Sequence, residues 1–227
     1  MASEYNERKS EDKRKENVVR CFLEKHLYSK FPDYFHNENI DRQKLGVDCE
    51  FTGKTFHYIA DEKAATRKNY INAGIKYPGE NIDRRYLNTF CLELSMRAMK
   101  FGKWVRYDGW WLNDELINNS LILIWIDRTK SGDILDVDDI LEAEVVVVRK
   151  EAINKYLESF GWTKERLRKQ VNEISNDFKS WNGTRQINGL KFNVAGWLKD
   201  KEAPINILIE RETYRKLSDY NKIIKLD

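Results

Sequence analysis

Two apolar runs in the middle of the chain constrain its fold more than any other feature. SLILIWIDR (120–128) is apolar at most positions, and AEVVVVRK (143–150) carries four consecutive valines. β-Branched side chains suit the pleated surface of a sheet, so both segments read as strands, the first apolar enough to be central. Around them the pattern alternates. Val18, Val19, Phe22, Leu23 and Leu27 recur at three- and four-residue spacing and predict an amphipathic helix from Glu16 to near Pro32. Residues 45–51 and 55–63 read as two strands joined at Gly53. A short helix is expected after Lys63, ending near Gly74, and strands at 86–95 and 101–107. Helices follow at 151–158 and 163–180, the latter with Thr163 as N-cap. A late strand (205–211) and a short terminal helix complete the chain. The expectation is a charged, flexible tail over residues 1–16 and one α/β domain over 17–227, with a central mixed sheet.

Composition narrows the function. Of 227 residues 34% are charged, yet the net charge is only +3, so attraction to nucleic acid must come from local clusters rather than the whole surface. The three cysteines, Cys21, Cys49 and Cys91, show no CxxC spacing. They are expected as buried thiols in a reduced, cytoplasmic setting. The polar N-terminus has no apolar signal-like core, and no window is long enough to span a membrane.

The stretch GVDCEFTGKTFHYIADEKAA (46–65) puts acids and a lysine where a sheet would take valine. Side chains alternate along a strand, so Asp61 and Lys63 share a face and Glu62 points the other way. If the two strands pair across the Gly53 turn, Asp48 approaches Asp61. Two neighbouring carboxylates repel unless one is protonated or a cation lies between them. Mg²⁺, or Mn²⁺ in its place, suits such a site, because it takes one or two carboxylates together with waters and substrate phosphate. Lys63 then lies beside the metal. A plainer reading stands next to this one: a strand end entering solvent, with Asp61 and Lys63 neutralising each other.

The arrangement of Asp48 followed by Asp61-Glu62-Lys63 resembles the PD-(D/E)XK nuclease superfamily, within a helix, hairpin, acid pair, helix and strand over residues 17–95. The position before Asp48 departs from the family pattern, with Val47 in place of proline. The resemblance implies a restriction-endonuclease-like mixed sheet flanked by helices. It also implies metal-dependent hydrolysis of nucleic-acid phosphodiesters, with DNA as the substrate, and a homodimer. Asp48, Asp61 and Lys63 take the catalytic positions. The metal ligands are Asp48, Asp61 and the backbone carbonyl of Glu62, and Glu24 is the acid expected on the preceding helix.

For nucleic-acid contact the candidates are Lys54 on the hairpin turn and Arg67 and Lys68 just past the motif strand. Lys164, Arg166, Arg168 and Lys169 form a second basic group. Glu93 and His57 are weaker candidates for the site, and Trp110 and Trp111 read as structural. No P-loop, GxGxxG or nucleophile elbow is present. The alternative function class is a non-catalytic nucleic-acid-binding or protein-interaction module on the same scaffold.

Overall fold

The computed structural model describes residues 2–65, 83–84, 88–130, 136–177, 181, 183–194 and 203–226. Its strands are β1 (Phe35–His36), β2 (Cys49–Thr52), β3 (His57–Ala65), β4 (Asp83–Arg84), β5 (Thr89–Lys100) and β6 (Lys103–Asp108). They continue with β7 (Ser120–Thr129), β8 (Ile140–Arg149), β9 (Gly183–Ile187), β10 (Leu190–Val194), β11 (Ile205–Glu210) and β12 (Tyr220–Lys225). The helices are α1 (Ala2–His26), α2 (Ile40–Lys44), α3 (Lys150–Ser159), α4 (Lys164–Asn176) and α5 (Arg211–Leu217). The class is mixed α/β, with two sheets where one was expected. The first runs β1-β2-β3-β7-β8-β12, with β4 also pairing β7, and the second runs β6-β5-β11-β10-β9.

The two apolar runs form the centre. β7 pairs with β8 antiparallel and with β3 parallel, and all its residues from Ser120 to Ile126 are buried. A strand covered on both faces has no need of polar alternation, which is why the sequence shows none. Ile122, Ile124, Val145 and Val147 pack under Val19, Phe22 and Leu23 of α1. On the other face, Leu121, Leu123, Val146 and Val148 share a core with the second sheet (Leu92, Leu94, Phe192, Ile207) and with Ile153, Leu157, Leu167 and Val171 of α3 and α4.

Several expectations change. Helix α1 begins at Ala2, within the segment read as a tail, and a Glu11–Lys15 ion pair at 2.6 Å supports it one turn apart. It stops at His26, short of Pro32. Ala64 and Ala65, assigned to a helix by sequence, continue β3, and the rest of that expected helix lies outside the described residues. Cys21 is exposed, whereas Cys49 is buried as expected. Thr163 does cap α4, its hydroxyl accepting from Arg166 N at 3.3 Å. Arg211 joins α5 to β8 below the core. It is bidentate to Asp127 at 2.8 and 2.6 Å and also bonded to Glu144, whose carboxylate is wholly buried and takes Arg215 as well. Among the described residues no helix is long and apolar enough to cross a membrane.

Candidate active site

The site is built on an unpaired strand edge. β2 begins at Cys49, opposite Ala60, so among the described residues the rest of β3, from Asp61 to Ala65, has only β7 as a ladder partner. Asp48 stands where β2 would continue. Its backbone N–H donates to Ala60 O at 2.9 Å, and its Oδ2 accepts the Glu62 backbone N–H at 2.8 Å. A carboxylate therefore substitutes for the missing strand. The N–H and C=O of one residue project to the same side of an extended strand, so the Glu62 carbonyl also faces this open edge.

Asp61 and Lys63 lie in register with Leu121 and Leu123 and share their face of the sheet. Lys63 Nζ donates to Asp61 Oδ1 at 2.7 Å and lies over the Trp110 ring at 5.6 Å. Asp61 is only 3% exposed. Burial raises its pKa to about 6 despite the pull of Lys63, and the Asp48 carboxylate against it adds to the rise. For Lys63, burial works against the charge, but Asp61, Asp48 and Glu16 outweigh it and hold the ammonium above its usual pKa. Two acids share one lysine and little water, and of the two Asp61 is the one whose affinity for a proton is raised, so that it is protonated only below about pH 6.

The Glu62 side chain is turned toward α1, as alternation requires. Its Oε1 accepts the Tyr28 hydroxyl proton at 2.5 Å, and its Oε2 lies 3.8 Å from Arg20 Nε. Burial raises its pKa, and Tyr28 and Arg20 oppose that rise. This buried clamp fixes the backbone of β3 at the residue whose amide and carbonyl face the open edge.

A cleft of about 300 Å³ opens at this edge, lined on β3 by Asp61, Glu62 and Lys63, with Asp48, Trp110, Gly46 and Lys44 around them and Glu16 and Arg20 of α1 above. Gly46 makes the turn from α2 into Asp48 at φ +77°, and a Cβ there would lie 2.9 Å from Asn118 Oδ1. That oxygen accepts from Lys150 Nζ at 2.6 Å. Burial drops the Lys150 ammonium to about 8 against the pull of Asp61.

The sequence reading placed Asp48, Asp61, Lys63 and the Glu62 backbone together, and these four meet in the cleft. The other candidates lie elsewhere. Glu24 is exposed on α1 and does not line the cleft; the acid that does is Glu16, two turns earlier. Lys54 is exposed at the far end of the β2–β3 hairpin, about 20 Å along the strand from Asp48. His57 shares that end, next to Thr52 and Glu50. Glu93 does not line the cleft. Arg67 and Lys68 lie outside the described residues. Much of the second basic group bonds within the chain: Arg168 bonds Asp108, Asp114 and the Leu112 carbonyl, Lys164 bonds Asp114 and Arg166 bonds the Gly161 carbonyl, whereas Lys169 is exposed on α4. Trp110, read as structural, is a wall of the cleft.

Among the described residues no group of three or more His, Cys, Asp and Glu side chains is arranged to hold a metal ion. The donor set at the open edge is two carboxylates and one carbonyl, all hard oxygen. That is too few for a closed structural site but suits Mg²⁺, which keeps several waters and completes its shell with substrate. The raised pKa of Asp61 and the ammonium already lying on its oxygen mark where positive charge is favoured. Comparison with protein-family models, with curated proteins and with solved structures finds no match to this chain.

Proposed function

We propose that this chain is a metal-dependent nuclease of the PD-(D/E)XK type, on a restriction-endonuclease-like core, hydrolysing phosphodiester bonds of DNA. The observation that carries the reading is the convergence of Asp48, Asp61 and Lys63 at an unpaired strand edge inside a cleft. A sheet gains nothing from burying Asp61 beside a second carboxylate and a lysine, and a perturbed acid in a cleft is the usual mark of a working site.

In this reading Asp48, Asp61 and the Glu62 carbonyl hold Mg²⁺ or Mn²⁺, which when bound polarises the phosphate and lowers the pKa of a water. With its pKa near 6, Asp61 is ionised at neutral pH and would offer its carboxylate to the cation. Lys63, whose charge a bound cation would replace at Asp61, would be placed to turn its ammonium toward the attacking water and the phosphate oxygens. Its raised pKa keeps it a hydrogen-bond donor at neutral pH, so it orients and stabilises charge rather than acting as a base. Trp110 closes the side of the cleft and limits where the amine can swing. Glu62, fixed by Tyr28, keeps the strand edge rigid during the reaction. A homodimer bringing two such clefts to opposite strands belongs to the same proposal.

One observation favours a second reading, a non-catalytic nucleic-acid-binding or interaction module: the Asp61–Lys63 pair at 2.7 Å is already neutralised without a metal. Incubation with supercoiled plasmid and Mg²⁺ or Mn²⁺ separates the two. The nuclease reading requires nicking by the wild type and its loss in EDTA and in Asp48→Asn, Asp61→Asn and Lys63→Ala. A wild type that binds the plasmid and leaves it intact under every metal condition sinks the catalytic reading.

A further inference from the structure

The β5–β6 hairpin is unlike the rest of this surface. Between Leu94 and Tyr107 it carries four basic residues and no acidic one, in a chain with 37 acids. Across the ladder Arg97 faces Arg106 and Lys100 faces Lys103. Like charges directly opposite each other on a sheet are destabilising. The effect reaches Arg106, whose guanidinium is pushed down to about 10, first by burial and then by the charge of Arg97. Arg106 turns its donors to Ser95 Oγ at 2.7 Å and the Ala203 carbonyl at 3.4 Å, while Arg97 lies over the Trp104 ring at 5.5 Å. Among the described residues no carboxylate forms an ion pair with Arg97, Lys100 or Lys103.

The tip adds a second cost. Phe101 and Gly102 form a two-residue turn with φ of 49° and 75°. Such turns favour Asn-Gly, and a bulky side chain in the left-handed region is strained. The Phe101 side chain is nonetheless 94% exposed, with Lys100 over its ring at 5.9 Å. Folding stability explains neither feature. Both become useful if a polyanion lies along the hairpin, neutralising the facing cations while the ring meets an apolar surface.

The hairpin is also joined to the cleft. β6 ends at Asp108, and two residues later Trp110 lines the cleft beneath Lys63. At about 3.3 Å per residue the tip lies roughly 23 Å along the strand from Asp108, where the chain turns into Trp110, a span of about six or seven nucleotide steps. A two-stranded ribbon is of a width that a DNA groove admits, and exposed apolar side chains wedge against base steps. We propose that the β5–β6 hairpin is a DNA-gripping arm. Lys100 and Lys103, which share a face of the ribbon, lie on backbone phosphates and Phe101 enters the groove, about six steps from the phosphate in the cleft. The position of that phosphate rests on the nuclease reading; the arm itself does not.

The test is fluorescence anisotropy with a labelled DNA duplex of about 30 bp in EDTA, over about 0.05 to 0.2 M KCl. The proteins compared are the wild type, Lys100→Ala/Lys103→Ala, Phe101→Gly, and Lys155→Ala as a surface control on α3. Loss of two phosphate contacts should flatten the slope of log affinity against log salt by about 1.8 and weaken binding about tenfold or more at low salt. Phe101→Gly should weaken binding without changing the slope, and Lys155→Ala should match the wild type. Circular dichroism melts establish that each variant is folded. An unchanged slope in the double variant overturns the arm, as does a wild type that binds no duplex or binds only vesicles containing phosphatidylserine. Arm-dependent binding by a wild type that cuts nothing supports the arm and overturns the nuclease reading.

Discussion

Replacing Asp61 by Asn should stabilise the metal-free protein at neutral pH, although Asp61 is buried and ion-paired. The carboxyl is moved from its ordinary 3.8 to about 6 by burial and by Asp48, even with Lys63 on its oxygen. Such a shift costs the charged form about 3 kcal/mol. The sign follows from proton linkage. Between about pH 4 and 6 the folded state holds a proton that the unfolded chain has released, so stability is greatest below that window and is lost as pH rises through it. Asparagine resembles the protonated acid in shape and bears no charge. In EDTA at neutral pH, Asp61→Asn should therefore gain about 1–3 kcal/mol, or about 3–10 °C in Tm for a chain of this size. The gain should shrink toward zero near pH 4. Urea denaturation at both pH values measures it. Saturating Mn²⁺ should reverse the order, raising the wild type and leaving the variant unmoved. A variant less stable than wild type at both pH values, by the same amount, would refute the reasoning. It would mean that the pair with Lys63 holds the fold together rather than loading it.

Three other outcomes follow from the same structure. Lys63→Met removes the ammonium on a buried carboxylate and should cost about 1–3 kcal/mol at neutral pH; adding Asp61→Asn should restore most of it, as a double-mutant cycle in urea will record. Gly46→Ala should lose about 1–3 kcal/mol in the same assay, because φ is +77° and the new Cβ meets Asn118 Oδ1 at 2.9 Å. Arg211→Met leaves Asp127 without its bidentate partner and Glu144 with Arg215 alone, and should cost about 3–5 kcal/mol, whereas exposed Lys155→Ala should fall within about 0.5 kcal/mol of wild type.

What could be read in the sequence was what one short-range rule decides. β7 and β8 declared themselves by continuous apolar runs, and α4 by Thr163 and its periodic face. The alternation of Asp61, Glu62 and Lys63 fixed which side chains share a face before any pairing was known. The β9–β10 hairpin was missed because its strands are five residues each and β9 is mostly polar, even though Leu190, Phe192 and Val194 alternate along β10 and Asn188-Gly189 supplies the left-handed turn, with φ of 42° and 81°. β12 was missed for a similar reason: YNKIIK is half-exposed and binds only one edge of the sheet. The helical acid was undecidable from spacing alone. Glu16, Arg20 and Glu24 stand four residues apart on one line of α1, and only the tertiary contact selects the turn that meets β3. Trp110 illustrates the same limit, since a tryptophan beside apolar strands reads as core until the cleft exists.

The most direct test of the account is a crystal of the protein soaked in Mn²⁺ and measured at the manganese absorption edge. One anomalous peak is expected between the Asp48 and Asp61 carboxylates, next to the Glu62 carbonyl, with Lys63 drawn off Asp61. A map with no peak there, and Lys63 still bonded to Asp61, would contradict it.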